Sequence, residues 1–485
     1  MNINYFYLGK VEQKLSLKMI PLTDITWDFF KILSLIIVFF IGFISTYLTL
    51  PYIIKFMKKK GYVGYDIHKN ARPAVAESGG LSIVIGLTIA LIFLMIFFPN
   101  ISNEILIFLL TVISAGIIGF IDDRMRLRSR YKIVLTLLAG SIIFIANFFH
   151  YVQIDTPTIP FLGKIRISLI YPFLIPLIVA IFANTVNMLE GYNGEGSGTC
   201  LIASCFLLIC GFIFNSAEGV IFAIPVIAVL IPFFIFNKFP AKVFPGDIGT
   251  LSMGAMIAGI TLFGSLEVSA IIALFMHVFN SFYVISSVRG FLESEDIHSA
   301  MDDIILLKDD RIQASDQKKA ALTMPRLILA KGPLTEPELT NNFFAISIMC
   351  GFFSIIITLL MLFTKGSFDL HGIIISEIIV LGILLVPSIL LLYKFPRIRG
   401  IIVIMIILIV VGCIFLIFID FYIVQIPFEI NLGFIIIPLN ILFALFLAIP
   451  GFILWYYITI KYFWYEIKKM KKNNNNTKGI NIEDS

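Results

Sequence analysis

The chain has 485 residues, 59% of them hydrophobic and 14% charged, with a net charge of +5 and a mean hydropathy of +0.99. A soluble domain carries about 25% charged residues, so a soluble fold of this length is excluded and lipid must cover the apolar surface. The five cysteines all lie in apolar stretches without paired metal spacing, and they read as small core hydrophobes rather than a zinc module.

Residues 1–28 lack the layout of a cleaved signal peptide, so the apolar stretch from Phe29 reads as a retained anchor. A span needs about 20 apolar residues. On that basis the sequence predicts thirteen helical spans, near 29–54, 80–98, 104–121, 132–150, 168–189, 199–215, 218–236, 249–263, 266–288, 342–364, 372–393, 400–425 and 433–460. The expected fold class is therefore all-α, a polytopic transmembrane helix bundle.

Alternate connections then fall on opposite sides of the membrane. One side holds the loops near 55–79, 122–132, 190–198, 237–248, 289–341 and 394–399 and the C-terminal tail, with 29 of the 36 Lys and Arg. The basic bias places this side in the cytosol. The segment 1–28, with Lys10, Lys14 and Lys18, falls outside as a mild exception. The long polar loop 289–341 divides the chain. A catalytic core is expected over 29–364, further helices over 365–463, and a basic, disordered tail over 464–485.

The cytosolic loops hold four polar groups. The first runs from Gly61 through Asp66, His68 and Lys69 to Glu77-Ser78-Gly79-Gly80 at a helix entry. There, glycines allow close backbone approach and amides favour anions; a simply capped helix start reads equally from these residues. The second is Asp122-Asp123 at the end of an apolar run, followed by Arg124, Arg126, Arg128, Arg130 and Lys132. Adjacent carboxylates repel unless a cation or proton is shared, and magnesium with phosphates suits such a pair. The basic run reads mainly as an anchor, with Lys132 placed to face the Asp pair. The third holds Asn184, Asn187, Glu190, Gly191, Asn193 and Gly194. Asn184 and Asn187 lie about one turn apart; an amide oxygen can bind a hard cation or simply join two helices. The fourth is Phe244-Pro245-Gly246-Asp247, a turn on the same side. Together they supply carboxylates and amides for a cation, basic groups for phosphates and glycine turns for close approach, the positioning that phosphoryl transfer requires.

From about Tyr52 to Pro325 these residues resemble the polyprenyl-phosphate N-acetylhexosamine-1-phosphate transferase superfamily, nearest its archaeal and eukaryotic dolichyl-phosphate N-acetylglucosamine-phosphotransferase branch. The resemblance rests on Glu77 to Gly80, Gly119 to Asp123 with Lys132, Asn184 to Gly194, and Val243 to Asp247. Phe161-Leu162-Gly163-Lys164 is similar to a short extracytosolic hairpin of that family. The resemblance implies a Mg2+-dependent reaction, with Mn2+ able to substitute. A lipid phosphate oxygen attacks the β-phosphorus of a UDP-sugar to give a lipid diphosphate-sugar and UMP. It implies Asn187 and Asp247 as metal ligands and Asp122 as base or phosphate-positioning carboxylate, with Asp123 beside it. Lys132 would contact the lipid phosphate. Glu77, Ser78, Asn184, Asn193, Gly246 and Arg326 would line the nucleotide-sugar site, Asn193 at the uracil.

The family carries an Arg-His-Arg run before an Ile-Pro-Arg, whereas Ala321-Leu322-Thr323 precedes Met324-Pro325-Arg326 here. That leaves the sugar open, with Lys318, Lys319, Arg326 and His298 as stand-ins. The family has about ten spans, so about three C-terminal helices are additional. The expected partners are a UDP-sugar, a polyprenyl or dolichyl phosphate and the bilayer, without nucleic acid; a homodimer is compatible. The expected location is a multi-pass position in the cell membrane of a prokaryote or archaeon. A transporter or flippase, or an inactive relative, are the competing readings. Polar residues gathered at one face, rather than at the midplane in repeats, favour the enzyme.

Overall fold

A computed structural model describes residues 28–161, 163–164, 171–288, 303–364, 383–418, 429–431, 436–438, 451 and 453–472. The expectations for segment 1–27, for His298 and for the tail beyond Lys472 lie outside the described residues.

Helix α1 (Phe29–Lys59) begins at Asp28, whose carboxylate caps the Lys31 amide at 2.8 Å. It buries Leu35, Val38, Gly42, Thr46, Leu50, Ile53 and Met57, a helical stripe. Its opposite face exposes Ile36, Phe40, Ile44 and Leu48. On a helix of this length and hydropathy such a face suits lipid. The bundle continues with α2 (Leu81–Phe97), α3 (Ser102–Met125), α4 (Ser129–Phe148), α5 (Tyr171–Leu189), α6 (Glu195–Ile213), α7 (Ala217–Asn237) and α8 (Gly246–Phe263). Every residue of α8 from Ile248 to Phe263 is buried, with α3, α5 and α7 packed around it.

The predicted span 266–288 is a bent pair, α9 (Glu267–Ala273) and α10 (Phe275–Val288), turning by 70°. Each half is tied to a different neighbour. Glu267 of α9 accepts from the Tyr171 hydroxyl at the start of α5, and His277 of α10 bonds Thr199 of α6 at 2.9 Å. After the polar loop come α11 (Met324–Leu329), α12 (Glu336–Thr364), α13 (Ile383–Lys394), α14 (Arg399–Phe418) and α15 (453–472).

Among the described residues eight helices are long and apolar enough to cross a membrane, or nine with the bent pair. The predicted spans 372–393, 400–425 and 433–460 lie partly outside the described residues, and α2, α13 and α14 are further, shorter apolar helices. Of the predicted span 433–460 only 436–438, 451 and 453–460 are described; near its start β7 (Glu429–Asn431) pairs with β8 (Ile436–Pro438). The described helix there, α15, runs on to 472, so residues 464–472 are helix and not tail.

The bundle is also not purely helical. Hairpins β1 (Val63–Tyr65) with β2 (Ala74–Ala76) and β5 (Ile304–Leu306) with β6 (Ile312–Ala314) stand at the basic end. At the other end β3 (Thr158–Ile159) pairs with β4 (Gly163–Lys164). Backbone that leaves a helix at a membrane surface must find other hydrogen-bond partners, and a hairpin supplies them locally.

Candidate active site

The site is built where two loops of the basic end are laced together. The Phe244 amide donates to Ala76 O at 2.8 Å, and the amides of Gly79 and Gly80 donate to Phe244 O and Pro245 O, each at 2.9 Å. The chain then turns at Gly246, with φ +65°, into α8. A Cβ on Gly246 would lie 2.6 Å from Asp123 Oδ2 and 2.9 Å from Ser78 Cα, so only glycine fits. Gly119 closes α3 on α8 in the same way, because a Cβ there would meet Asp247 O at 2.3 Å. Two small residues thus bring the ends of α3 and α8 into backbone contact.

Asp123 is fully engaged by this junction. Its Oδ1 accepts the Asp247 amide at 2.6 Å and its Oδ2 accepts the Ser78 hydroxyl at 2.7 Å. Arg124 donates to Ser78 Oγ at 3.3 Å and lies over the Tyr62 ring, 3.4 Å from its centroid. Asp122 accepts the Leu127 amide at 2.7 Å, which fixes the α3–α4 turn, and pairs with Lys132 Nζ. Lys132 also reaches Asp247 Oδ2 at 3.0 Å. Asn187 Nδ2 donates to Asp247 Oδ1 at 2.5 Å and Thr250 Oγ1 at 2.8 Å. Asp122, Asp123, Lys132, Asn187, Asp247, Ser78 and Gly246 therefore meet in one place. Glu77, half-buried, precedes Ser78 on the laced strand.

All the anionic donors here are hard oxygens, the ligand type that magnesium takes with few protein groups and substrate phosphates. The fit test is local. With Lys132 as the only cation bridging Asp122 and Asp247 among the described residues, Asn187 turns its NH2 toward Asp247. Rotating that amide would present its oxygen beside the same carboxylate. Asp247 and Asn187, with Asp122 near, thus fit a hard cation.

Two residues of the predicted nucleotide-sugar set have other engagements. Asn184 donates to Thr136 Oγ1 of α4 and to Ala180 O, each at 2.8 Å, so its amide joins α5 to α4. Arg326 is 2% exposed and directs all five N–H groups to backbone carbonyls: Ser315, Gln317, Ala320 and Ala321. With its donors consumed and its face 4.7 Å from the Phe463 ring centroid, it is a loop clamp and not an anion grip. Burial pulls this guanidinium down to about 10, so it stays charged at neutral pH. Ala321 and Leu322, standing where the family carries its basic run, are buried, Ala321 against Val284 and Met188. Lys318 and Lys319 are exposed.

Asn193 sits apart from the carboxylate cluster, in the turn before α6. It donates to Glu336 and Asp66, neither of which the sequence marked as a site residue. Asp66, His68 and Glu336 have ligand atoms within 4.8 Å of one another. Lys69 already pairs with Asp66 there and lies 3.8 Å from Glu336. Thr250, one turn beyond Asp247, was also missed; a threonine within an apolar helix carries no signal of its own.

Residues 105–265 match glycosyl transferase family 4. A protein of Methanocaldococcus jannaschii, provisionally named a glycosyltransferase, is 32% identical over 309 residues, 63% of this chain and 92% of that protein. This chain belongs to glycosyl transferase family 4. Other relatives carry more explicit names. A Sulfolobus acidocaldarius protein, provisionally named a UDP-N-acetylglucosamine–dolichyl-phosphate N-acetylglucosaminephosphotransferase, is 32% identical over 48% of this chain and 72% of its own length. A phospho-N-acetylmuramoyl-pentapeptide-transferase of Latilactobacillus sakei is 28% identical over 52% of this chain and 82% of its own. The family 4 match contains Asp122, Asp123, Lys132, Asn187 and Asp247, and ends before the loop that Arg326 clamps.

Proposed function

We propose that this membrane protein transfers a sugar 1-phosphate, GlcNAc 1-phosphate first among the candidates, from a UDP-sugar to a polyprenyl or dolichyl phosphate at the cytosolic face. Such a step opens membrane glycan assembly, of which N-glycosylation is one case. The observation that carries it is Lys132 held between Asp122 and Asp247, with Asn187 on Asp247 and Asp123 fixing the Asp247 backbone. Relatives named for transfer to dolichyl phosphate and for phospho-N-acetylmuramoyl transfer support the same class.

A lipid phosphate oxygen forms a bond to the β-phosphorus, and the bond from that phosphorus to the oxygen bridging the α-phosphate breaks. UMP leaves with that oxygen. Both reactants are anions, so the chain must offset their repulsion and hold them in line. Lys132 supplies a fixed positive charge for the lipid phosphate. Asp123 has both oxygens committed to Asp247 and Ser78, and serves as a positioning residue. Asp122 holds the Leu127 amide on Oδ1 and Lys132 on Oδ2, so it takes the proton of a singly protonated lipid phosphate on Oδ2 as Lys132 turns to that phosphate. A bound Mg2+, held by Asp247 and Asn187, would neutralise the diphosphate and its developing charge.

Purified protein with UDP-GlcNAc and dolichyl phosphate should release UMP only when lipid and Mg2+ are both present. Asp247→Ala should lose turnover by at least about 100-fold while the protein remains folded by thermal melting. Unchanged turnover in that variant would sink the assignment. A panel of UDP-sugars in the same assay fixes the sugar.

A further inference from the structure

The C-terminal helices bring to the basic end a set of cations that the carboxylate cluster does not use. Three distant segments meet there: the turn after α11, the turn between α13 and α14, and the last turns of α15. Arg397 Nη1 donates to Gly332 O at 2.7 Å, and Lys331 Nζ donates to Pro396 O at 3.3 Å. Lys331 Nζ also stands 5.9 Å from the centroid of the Tyr462 ring. Tyr462 in turn packs on Gly400, where a Cβ would lie 2.2 Å from the hydroxyl oxygen. Arg399 caps the end of α13, with Nε donating to Leu392 O at 2.8 Å and Nη2 to Tyr393 O at 3.3 Å. These bonds fix both guanidiniums. They leave Nη1 of Arg399, and Nε and Nη2 of Arg397, without an acceptor among the described residues.

The charge here is unbalanced. Burial pushes the Lys331 ammonium below its ordinary value, and Lys469, Arg397 and Arg399 push it further, against Glu466. Burial also lowers Arg397, against Glu338. Four cations thus face two carboxylates. None of the four forms an ion pair among the described residues. Glu338 is engaged elsewhere, accepting the Thr335 amide and hydroxyl at 2.9 Å each. Taking cations out of water without a partner is unfavourable, so the geometry calls for an anion. The place selects which one. Arg399 and Lys469 are exposed, and the turn joins two apolar helices whose Leu385, Ile389, Val403 and Ile407 are exposed as well. Tyr393, 80% exposed, stands at that boundary, where amphipathic rings settle at a membrane surface.

We propose that Lys331, Arg397, Arg399 and Lys469 form a headgroup site for an anionic phospholipid of the bilayer, its phosphate on the remaining N–H groups of Arg397 and Arg399 and its chains along α13 and α14. The site stands apart from the transfer chemistry and does not depend on it. Guanidinium forks match phosphate oxygens, and basic pockets beside membrane helices take anionic headgroups. Lys331 lies in the chain between Arg326 and Glu336, so a headgroup held there ties the polar loop to the C-terminal helices.

The test is lipid retention by the full-length protein, extracted in detergent from vesicles of equal parts phosphatidylcholine and phosphatidylglycerol and read by native mass spectrometry. The wild type should retain phosphatidylglycerol over phosphatidylcholine by about fivefold or more, the factor that one basic residue contributes at an anionic surface. Arg397→Gln/Arg399→Gln should lower that ratio by about fivefold or more. Lys469→Gln removes a side chain that makes no hydrogen bond among the described residues, and should lower it by about twofold or more without disturbing the fold. Lys58→Gln/Lys59→Gln removes two exposed charges from the last turn of α1, and should leave the ratio within about twofold of the wild type. Equal retention of the two lipids by the wild type would overturn the proposal. So would an unchanged ratio in Arg397→Gln/Arg399→Gln or in Lys469→Gln. An equal loss in Lys58→Gln/Lys59→Gln would also overturn it, because the preference would then belong to the whole basic face. Displacement of phosphatidylglycerol by millimolar inorganic phosphate would make this a free-anion site and refute the lipid assignment.

Discussion

At the scale of single residues, what decides a role is whether the polar atoms are already spent. Asp122, Asp123, Lys132, Asn187 and Asp247 were legible in the sequence because their spacing against the apolar runs put them all at one end. Asn184 and Arg326 belonged to the same pattern, but residue type does not reveal that a donor is consumed by Thr136 or by four loop carbonyls. Asp66 and Glu336 were invisible as partners because 127 and 143 residues separate them from Asn193. Glu190 yields a pH prediction. Burial pushes its carboxyl up to about 8, although the Gly196 amide donates to it at 2.6 Å. Between the ordinary carboxylate range and pH 8 the folded chain keeps a proton that the unfolded chain releases. Stability therefore declines as pH rises through that window and levels off above it. Glu190→Gln cannot ionise and should flatten this part of the profile. Melting temperatures of both proteins from pH 5 to pH 9, roughly spanning that window, check it.

At the scale of elements, the contact of α3 with α8 governs the site. Gly119→Ala would place a methyl carbon where Asp247 O and Ile248 Cα now lie, at 2.3 and 2.5 Å. Neither is a flexible side-chain end, so the helices must part. Overpacking of this kind costs about 1–3 kcal/mol, a few degrees in a melt. Turnover should fall further than stability, because the Asp247 amide leaves Asp123 and Lys132 loses its second carboxylate. Parallel melts and UMP-release rates separate the two effects. Apolar length located the helices of the core well, since membrane thickness sets it directly. It failed at Leu274, where separate ties to α5 and α6 bend one apolar stretch into two helices.

At the scale of the whole molecule, the C-terminal helix is part of the polar loop's architecture. Trp455 of α15 stacks on Tyr283 at 4.8 Å, and Thr459 bonds the Tyr283 hydroxyl at 3.1 Å. Phe463 covers Arg326, and Lys471 pairs with Asp316. The loop in turn reaches the site, because Asn280 accepts the Met324 amide and donates to Met188 O, one residue from Asn187. Arg326→Ala should leave the carbonyls of three buried residues, Ser315, Ala320 and Ala321, without the guanidinium donors, at about 1–3 kcal/mol each where water cannot replace them. Limited proteolysis should then cut within 315–321 faster than in the wild type. Arg326→Lys should recover only part of the protection, since an ammonium cannot fork to four carbonyls. Sequence alone presented α15 as an appendage, because aromatic residues in an apolar run look alike whether they face lipid or an arginine. The same clamp sets an order of events during synthesis. The loop at 315–326 emerges from the ribosome long before Phe463, so Arg326 must wait, charged and uncovered, until the last helix is made. A chain stopped short of that helix would carry Arg326 without the Phe463 ring over its guanidinium and Asp316 without Lys471.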